Sequence, residues 1–252
     1  MNVVIIGSGN VATVLGLLIK NAGHAVLEIV SRNIHHAQIL STQLNTKAMA
    51  DINTITKNAD LYIVAVSDDA IETIAGLLNL KNKIVVHTSG ATSKDVLKKA
   101  SDYYGVIYPL QSIRKESKHI PLIPLLLDGN TSHVLKSITA FAETISKKIH
   151  YAGDAERLML HVSAVVVSNF TNHLYALAED FCKKEETDFS LLVPLIHEVA
   201  DRVIDYDPKT MQTGPAVRHD VTTIQKHLKL LSPYPQLQEI YRAMTESIQK
   251  FH

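Results

Sequence analysis

Two glycines near the start of the chain have the spacing of a phosphate-binding turn. Gly7 and Gly9 follow the β-branched run at residues 3–6 and precede a helix-like pattern that includes Ala12. In a strand–turn–helix unit, the first glycine permits a tight turn, the second lets a pyrophosphate approach the main chain, and a small third residue allows close packing. The helix start offers N–H groups to phosphates. The sequence therefore predicts a dinucleotide site, with a purely structural turn as the alternative. The residues predicted to form this part of the site are Gly7, Ser8, Gly9, Asn10 and Val11.

Ser31 and Arg32 follow the second predicted strand, at residues 25–30. At this position an acidic residue would bind the ribose 2′-hydroxyl of NAD, whereas an arginine suits the 2′-phosphate of NADP. Glu28 is the nearby acid, but it lies inside the strand and is discounted. The pair predicts NADP; alternatively, Arg32 is a solvated charge at a strand end.

Small polar residues follow two later predicted strands, at residues 61–66 and 83–87. Alternating strands and helices predict right-handed βαβ units, and in such sheets ligands lie beyond the carboxyl ends of the strands. A turn would need the same residue types, so a structural role is equally open. The further predicted cofactor contacts are Val66, Ser67, His87, Thr88 and Ser89.

These motifs require an α/β fold: a Rossmann-type, mostly parallel sheet followed by an all-α C-terminal domain. A short strand is predicted at residues 105–108, an edge strand with two prolines at residues 120–127, and a helix at residues 132–147. Beyond residue 153 the β-alternation stops. We therefore predict a nucleotide-binding domain at residues 1–153 and a helical substrate and dimerisation domain at residues 154–252.

A polar stripe is predicted on the first helix of the second domain, at residues 155–184. The middle of this helix is apolar on most sides, which predicts burial. At about 100° per residue, His161, Ser168 and Asn172 fall within roughly 20° of one line, with Asn169 at its edge. Buried polar groups need hydrogen-bond partners, which either a wet cleft facing the first domain or the neighbouring helices would supply.

The segment at residues 213–220 joins two predicted helices. Gly214 and Pro215 interrupt the helical pattern, and Asp220 is placed to cap a helix at residues 221–230. Arg218 is a cation on this loop. It could bind a carboxylate or phosphate, or it could pair with Asp220.

Composition argues for a small-molecule partner. Lys plus Arg and Asp plus Glu number 25 each, so no overall basic field favours nucleic acid or a membrane surface. With a single cysteine, Cys182, and no visible signal peptide, we expect a cytoplasmic protein. No apolar run reaches membrane length. His35 and His36 are adjacent and would point in different directions on a helix, so no metal site is predicted.

The whole chain resembles a family of Rossmann-like proteins that carry a C-terminal helical domain of unknown function. Members are described as short-subunit dehydrogenase-like or deazaflavin-dependent NADP oxidoreductase-like. More distantly, the chain is similar to pyrroline-carboxylate reductase, ketopantoate reductase and the 3-hydroxyacid dehydrogenases. The resemblance implies NADP, a helical domain that closes over the nicotinamide, and a homodimer formed through the helices. It is carried by residues 7–12, 87–91, 108–111, His161 with residues 168–170, residues 213–216, Arg218, Asp220 and His227.

Two positions depart from the families that the chain resembles. Tyr108 stands where the family has a histidine before Pro-Leu-Gln, and Val165 stands where the 3-hydroxyacid dehydrogenases have a lysine, four residues before Asn169. Without that lysine, His161 is the candidate proton donor, because the unperturbed pKa of histidine lies near neutrality. Asn169 or Asn172 would orient a carbonyl, and Arg218 would hold an acidic group of the substrate.

The predicted function is NADP-dependent hydride transfer to or from a small carbonyl or imine compound. A non-catalytic NADP-binding regulator is the first alternative, supported by the missing lysine. A methyltransferase that uses S-adenosylmethionine is a weaker one, because no acid ends the second strand.

Overall fold

The computed structural model describes residues 1–117 and 120–252. The chain divides into two compact units, a first unit at Met1–Asn169 and a second unit at Phe170–His252. Each is described by itself. The predicted division at residue 153 stays a prediction.

One sheet forms the centre of the first unit. Its strands follow the order β3-β2-β1-β4-β5-β6-β7-β8, and each adjacent pair is parallel except the antiparallel pair β6–β7. This confirms the predicted Rossmann-type, mostly parallel sheet. The strands are β1 (Asn2–Ile6), β2 (Ala25–Val30), β3 (Lys47–Met49), β4 (Leu61–Val64), β5 (Lys81–His87), β6 (Ser101–Pro109), β7 (Leu125–Gly129) and β8 (Ile149–Tyr151).

Helices complete the first unit, and apolar side chains cover both faces of the sheet. Val3 and Ile5 of β1 pack into one buried cluster, whereas Val4 and Ile6 pack into another on the opposite face. A strand buried on both faces must be apolar at every position, which explains the β-branched run. The helices of this unit are α1 (Asn10–Asn21), α2 (Ile34–Leu44), α3 (Asp68–Leu77), α4 (Ser132–Ile145) and α5 (Asp154–Ala164), with 3₁₀ turns at Ile52–Thr54 and Lys94–Lys99.

β7 corrects the prediction of an edge strand at residues 120–127. The strand begins at Leu125, after Pro121 and Pro124, and it lies between β6 and β8. Proline cannot donate to a strand ladder, so the prolines precede this internal strand instead of marking an edge. β3 has three residues and was not predicted.

The predicted long helix at residues 155–184 is three segments: α5, a π-helical stretch at Val165–Phe170, and α6 (Thr171–Lys184). A π-helix forms i→i+5 hydrogen bonds, so the regular spacing of 100° per residue does not hold across it. The predicted alignment of the polar stripe is therefore wrong. The predicted burial is also wrong, since Met159 is 68% exposed and Val167 is 72% exposed.

The second unit is helical, which confirms the all-α C-terminal region. The carboxylate of Asp220 accepts hydrogen bonds from the Thr223 N–H at 3.0 Å and the Thr223 hydroxyl at 2.7 Å, so it caps the helix that begins at Val221, as predicted. Pro194 lies in the first turn of α7, where proline is tolerated, and does not bend the helix. Besides α6, the helices of this unit are α7 (Val193–Asp205), α8 (Val221–Leu230) and α9 (Pro235–Phe251), with a 3₁₀ turn at Phe189–Leu192.

Within the described ranges, no helix is both long and apolar enough to cross a membrane.

Candidate functional site

The turn between β1 and α1 requires a glycine at its first position. Gly7 has a φ of +128°, and its N–H donates to the carbonyl of Val30 at 2.8 Å. A Cβ at this position would lie 2.0 Å from the carbonyl oxygen of Ala65. Both the backbone angle and the close approach to the chain after β4 exclude a side chain. Gly7 therefore holds the turn against the sheet.

Gly9 leaves the start of α1 open. It is the N-cap residue of α1, and an added Cβ would meet no atom within 4 Å. Among the described residues no side chain caps the helix, and the first turn of α1 contains no acidic residue. The first N–H groups of a helix carry a partial positive charge, so an uncapped start favours an anion.

A cavity of about 710 Å³ opens at this helix start. It lies at the carboxyl ends of β1, β2 and β4, where ligands of parallel sheets bind. The structure thus gathers residues that lie far apart in the sequence, from Ile6 to Thr88. The predicted cofactor residues that line it are Gly7, Ser8, Gly9, Asn10, Val11, Ser31, Arg32, Val66, Ser67 and Thr88.

Arg32 lines the cavity together with Ser31, directly after β2. Its side chain is exposed, and it forms no ion pair with any residue in the described ranges. The hydroxyl of Ser8 donates to the hydroxyl of Ser31 at 2.8 Å, which links the glycine turn to the end of β2. A cation without a protein partner at this position is suited to a phosphate.

The structure does not place His87 or Ser89 among the residues lining the cavity. The His87 ring is fully buried, and its Nδ1 accepts a hydrogen bond from the Ser89 N–H at 3.2 Å. Burial, together with the positive charge of Arg157, lowers the pKa of His87 to about 4. The Ser89 hydroxyl oxygen accepts from the N–H groups of Ala91 and Thr92. These side chains stabilise the turn after β5, and their contact with a cofactor stays a prediction.

Part of the cavity wall was not singled out from the sequence. Ile52, Ile74 and Leu77 form an apolar section, and Asp68 and Asp69 contribute carboxylates at the start of α3. Leu77 is an exposed apolar residue at the end of α3, and nothing in the sequence marks it as part of a cavity wall. Only the assembled sheet brings α3 to the glycine turn.

His161 meets Tyr108. The Tyr108 hydroxyl lies 2.9 Å from Nδ1 of His161, within hydrogen-bond distance. Burial first, and then the negative charge of Asp68, raise the pKa of Tyr108, which the charge of Arg157 partly offsets. Tyr108 stands where the related motif has a histidine, and nothing in the sequence identifies His161 as its partner.

Arg157 is a buried cation that sequence reasoning missed. It is 1% exposed, and its Nη2 donates to the carbonyl of Thr92 at 2.6 Å and to Asp154 at 2.7 Å. Its Nε and Nη1 have no hydrogen-bond partner among the described residues. Burial alone would raise the pKa of Asp154, but hydrogen bonds from Ser93 and Arg157 lower it below the ordinary value. An arginine on a helix gives no sign of burial in the sequence, because arginine is mostly exposed.

The three predicted catalytic residues are divided between the two units. His161 and Asn169 belong to the first unit and Arg218 to the second. Asn169 and Arg218 are exposed. Hydrogen bonds from Thr223 are the main cause of the lowered pKa of Asp220, with a smaller contribution from the charge of Arg218. Convergence of His161, Asn169 and Arg218 stays a prediction. Among residues 1–117 and 120–252, no cluster of side chains could hold a metal ion.

The sheet, the glycine turn and the cavity define a Rossmann-like protein, and residues 1–110 match the Rossmann-like domain model. Residues 123–248 match the family described as Domain of unknown function (DUF2520). The chain belongs to this DUF2520 family. No curated protein matches the sequence significantly.

Solved structures share this architecture over nearly the whole chain. A proposed NADP oxidoreductase from Bacteroides fragilis is 33% identical, with a TM-score of 0.93 over 99% of this chain and 98% of the other. A protein from Thermotoga maritima is 23% identical, with a TM-score of 0.79 over 99% and 98%. An imine reductase from Myxococcus stipitatus in complex with NADP⁺ is 15% identical, with a TM-score of 0.69 over 99% and 93%. At 23% and 15% identity, the last two structures show similarity of fold alone.

Proposed function

We propose that this protein is an NADP-dependent oxidoreductase that transfers hydride to or from a small carbonyl or imine substrate. The observation that carries the proposal is the cavity of about 710 Å³, which is lined by both the start of α1 and the exposed Arg32. The 33% identical protein from Bacteroides fragilis, described as a proposed NADP oxidoreductase, supports the same cofactor. Within the DUF2520 family, we propose the short-subunit dehydrogenase-like group.

The residues present fit a dinucleotide. Gly9 leaves open space beside the main chain, where a pyrophosphate would accept hydrogen bonds from the start of α1. Ser31 and Arg32 would hold the 2′-phosphate. The apolar section at Ile52, Ile74 and Leu77 would cover the adenine. At the other end, Val66, Ser67 and Thr88 would contact the nicotinamide ribose, since they line the cavity beyond the later strands.

When bound, the nicotinamide supplies or accepts the hydride. His161 would give a proton to the substrate oxygen or nitrogen during reduction and take it back during oxidation. Asn169 would orient the carbonyl by donating a hydrogen bond, and Arg218 would hold an acidic group of the substrate. In this proposal the proton donor lies on α5, and the nucleotide binds at the carboxyl ends of β1, β2 and β4.

A non-catalytic NADP-binding regulator is the second candidate. Val165 favours it, because an aliphatic side chain stands where the 3-hydroxyacid dehydrogenases have a lysine, and Val165 begins the π-helical stretch. Valine can neither donate nor accept the proton that accompanies hydride transfer.

We also propose a homodimer formed through the helical domain at residues 154–252. On α7, Leu195, Val199 and Val203 are spaced four residues apart, so they share one helix face, and each is more than half exposed. A contiguous exposed apolar face indicates an interface. Light scattering is expected to give twice the chain mass, and Val199→Glu to lower it; a monomeric wild-type protein would refute the dimer.

An assay for turnover distinguishes the proposed oxidoreductase from the non-catalytic regulator. Loss of NADPH absorbance would be followed with a panel of small ketones, keto acids and cyclic imines, with the wild-type protein and His161→Ala. We expect at least one substrate to be reduced, and His161→Ala to lower kcat about 100-fold while NADPH still binds. His173→Ala, at an exposed histidine of α6, is the matched control. Binding of NADPH without turnover across the panel would favour the regulator, and full turnover by His161→Ala would show that another group donates the proton.

A further inference from the structure

We propose that Tyr108 is a positioning residue that fixes the orientation and the tautomer of the His161 imidazole, so that Nε2 is the nitrogen presented to a substrate. This proposal deepens the function proposed above and rests on His161 being the proton donor. Its structural part can be tested without cofactor or substrate.

The contact between the two rings is specific in distance and angle. The Tyr108 hydroxyl lies 2.9 Å from Nδ1 of His161. The ring centroids are 5.8 Å apart, and the ring planes meet at 76°, an edge-to-face arrangement. A hydrogen bond combined with an edge-to-face contact restrains both the position and the rotation of the imidazole.

Because Gly90 has no side chain, the rings of Tyr108 and His161 can both pack against it. A Cβ at Gly90 would lie 2.8 Å from Cγ and Nδ1 of His161 and 2.8 Å from Cζ of Tyr108. Any side chain would therefore displace one ring or both. The glycine after β5 keeps the imidazole and the phenol packed against the same main-chain segment.

The helix that carries His161 is fixed to that segment as well. At the start of α5, Asp154 accepts a hydrogen bond from the Ser93 hydroxyl at 2.5 Å, and Arg157 donates to the Thr92 carbonyl at 2.6 Å. Because the backbone of α5 is held by these contacts, side-chain rotation is the freedom that remains to His161. The Tyr108 hydroxyl acts on that rotation.

The hydrogen bond between Tyr108 and His161 determines which nitrogen of the neutral imidazole carries the hydrogen. Within the described ranges, the Tyr108 hydroxyl has Nδ1 of His161 as its hydrogen-bond partner. Burial raises the pKa of Tyr108, so the phenol keeps its proton at neutral pH. A phenol that donates to Nδ1 makes Nδ1 the acceptor, and the neutral imidazole then carries its hydrogen on Nε2.

The hydrogen bond persists when the imidazole takes up a proton. Nδ1 then carries a hydrogen and donates it to the phenol oxygen, which can accept, while Nε2–H gives its proton to the substrate. The neutral ring left by this transfer has its hydrogen on Nδ1, and it returns to the resting tautomer when Nε2 takes a proton from solvent and Nδ1 loses one through the phenol. The hydroxyl hydrogen rotates, and the heavy atoms stay in place. Tyr108 thus holds the donor in one geometry through the proton cycle, which favours proton transfer.

The test is ¹⁵N NMR of the histidine side chains in the protein without cofactor. His161→Gln removes the His161 signals and so assigns them among the 13 histidines. In the wild-type protein, we expect neutral His161 to show a bare Nδ1 and a protonated Nε2. A wild-type spectrum with the hydrogen on Nδ1 overturns the proposal, and this result needs no variant at position 108.

Tyr108→Phe removes the hydroxyl and keeps the ring. We expect the two His161 nitrogens to move toward averaged shifts, as both tautomers become populated. The matched control is Tyr104→Phe, which removes another β6 hydroxyl, one that bonds Asp95 at 3.2 Å, and should leave the His161 signals unchanged. Unchanged His161 signals in Tyr108→Phe overturn the proposal.

Steady-state kinetics test the catalytic part of the proposal separately. We expect Tyr108→Phe to lower kcat about 10-fold at unchanged KM for NADPH, since the donor is misplaced but the cavity is intact. If His161→Ala keeps full turnover while the NMR result holds, the proposed proton donor fails and the tautomer assignment stands. If Tyr108→Phe loses tautomer control without any change in kcat, the positioning role in catalysis is overturned.

Discussion

The hydroxyl of Ser8 donates a hydrogen bond to the hydroxyl of Ser31 across 2.8 Å. Ser8 stands between the two glycines of the β1–α1 turn, and Ser31 directly follows β2. The bond therefore ties the place proposed for the pyrophosphate to the place proposed for the 2′-phosphate. Arg32, the next residue, lines the same cavity.

Arg32→Gln is expected to weaken NADPH binding about 10- to 100-fold and NADH binding less than about 3-fold. A charge-assisted hydrogen bond contributes about 1.5–3 kcal/mol, and only NADPH has the phosphate that would receive it. Nicotinamide fluorescence in a titration measures both affinities. Lys20→Gln, which removes an exposed cation at the far end of α1, is the matched control. Equal losses for the two cofactors would show that Arg32 does not contact the 2′-phosphate.

The two glycines of the turn are expected to respond differently to alanine. Gly7→Ala should lower the free energy of unfolding by about 3 kcal/mol, because a left-handed backbone and a clash with the Ala65 carbonyl are both imposed. Gly9→Ala should leave stability within about 0.5 kcal/mol, since its Cβ meets no atom, yet weaken NADPH binding at least about 10-fold by obstructing the pyrophosphate. Urea unfolding and cofactor titration measure the two effects. Tight NADPH binding by Gly9→Ala would place the pyrophosphate elsewhere.

The local parts of the fold and the site could be predicted from the sequence. A buried parallel strand, a glycine turn and a helix start are encoded by neighbouring residues, so the turn and the mostly parallel sheet were accessible. The position of β7 was not, because strand order depends on long-range pairing. The π-helical stretch was not either, since its apolar residues fit a regular helix equally well.

The contacts that side chains of α5 make with the rest of the first unit could not be predicted from the sequence either. Tyr108 and His161 are 53 residues apart, and Arg157 and Thr92 are 65 residues apart. No sequence feature near Arg157 or Tyr108 identifies its partner. These contacts form only after the sheet has placed the ends of β5 and β6 beside α5. The chemistry proposed for His161 depends on such contacts.

His87 is expected to make the protein less stable as the pH falls from 6.5 toward 4. The unfolded chain takes up a proton near the ordinary histidine pKa of 6.5, whereas the folded chain resists it down to about 4, because the ring is buried beside Arg157. The stability present above pH 6.5 is therefore lost as the pH falls, by up to about 3 kcal/mol at 1.36 kcal/mol per pKa unit. Urea unfolding between pH 4.5 and pH 7.5 would measure it.

His87→Gln should flatten that pH dependence, whatever its effect on stability at pH 7.5. His35→Gln, at an exposed histidine, should leave the slope as in the wild-type protein. A His87→Gln variant with the full wild-type slope would mean that other groups cause the loss at low pH.

Asp154 and Arg157 are expected to behave as a coupled pair. Asp154→Asn leaves the buried Arg157 cation without its carboxylate, which should cost about 3 kcal/mol. Arg157→Met should cost less, because Arg157 already has two donors without partners and methionine fills a similar volume. The double variant should recover at least about 1 kcal/mol relative to additivity. Thermal or urea unfolding of the four proteins measures the coupling, and additive costs would show that the pair is not coupled.

Binding of NADPH and NADH to the wild-type protein tests the central claim most directly. The cavity, the open start of α1 and the exposed Arg32 predict that NADPH binds with a Kd below about 100 μM and that NADH binds at least about 10-fold more weakly. Nicotinamide fluorescence during titration reports both constants. Tighter binding of NADPH is the predicted result, and failure of both cofactors to bind at sub-millimolar concentration would contradict the account.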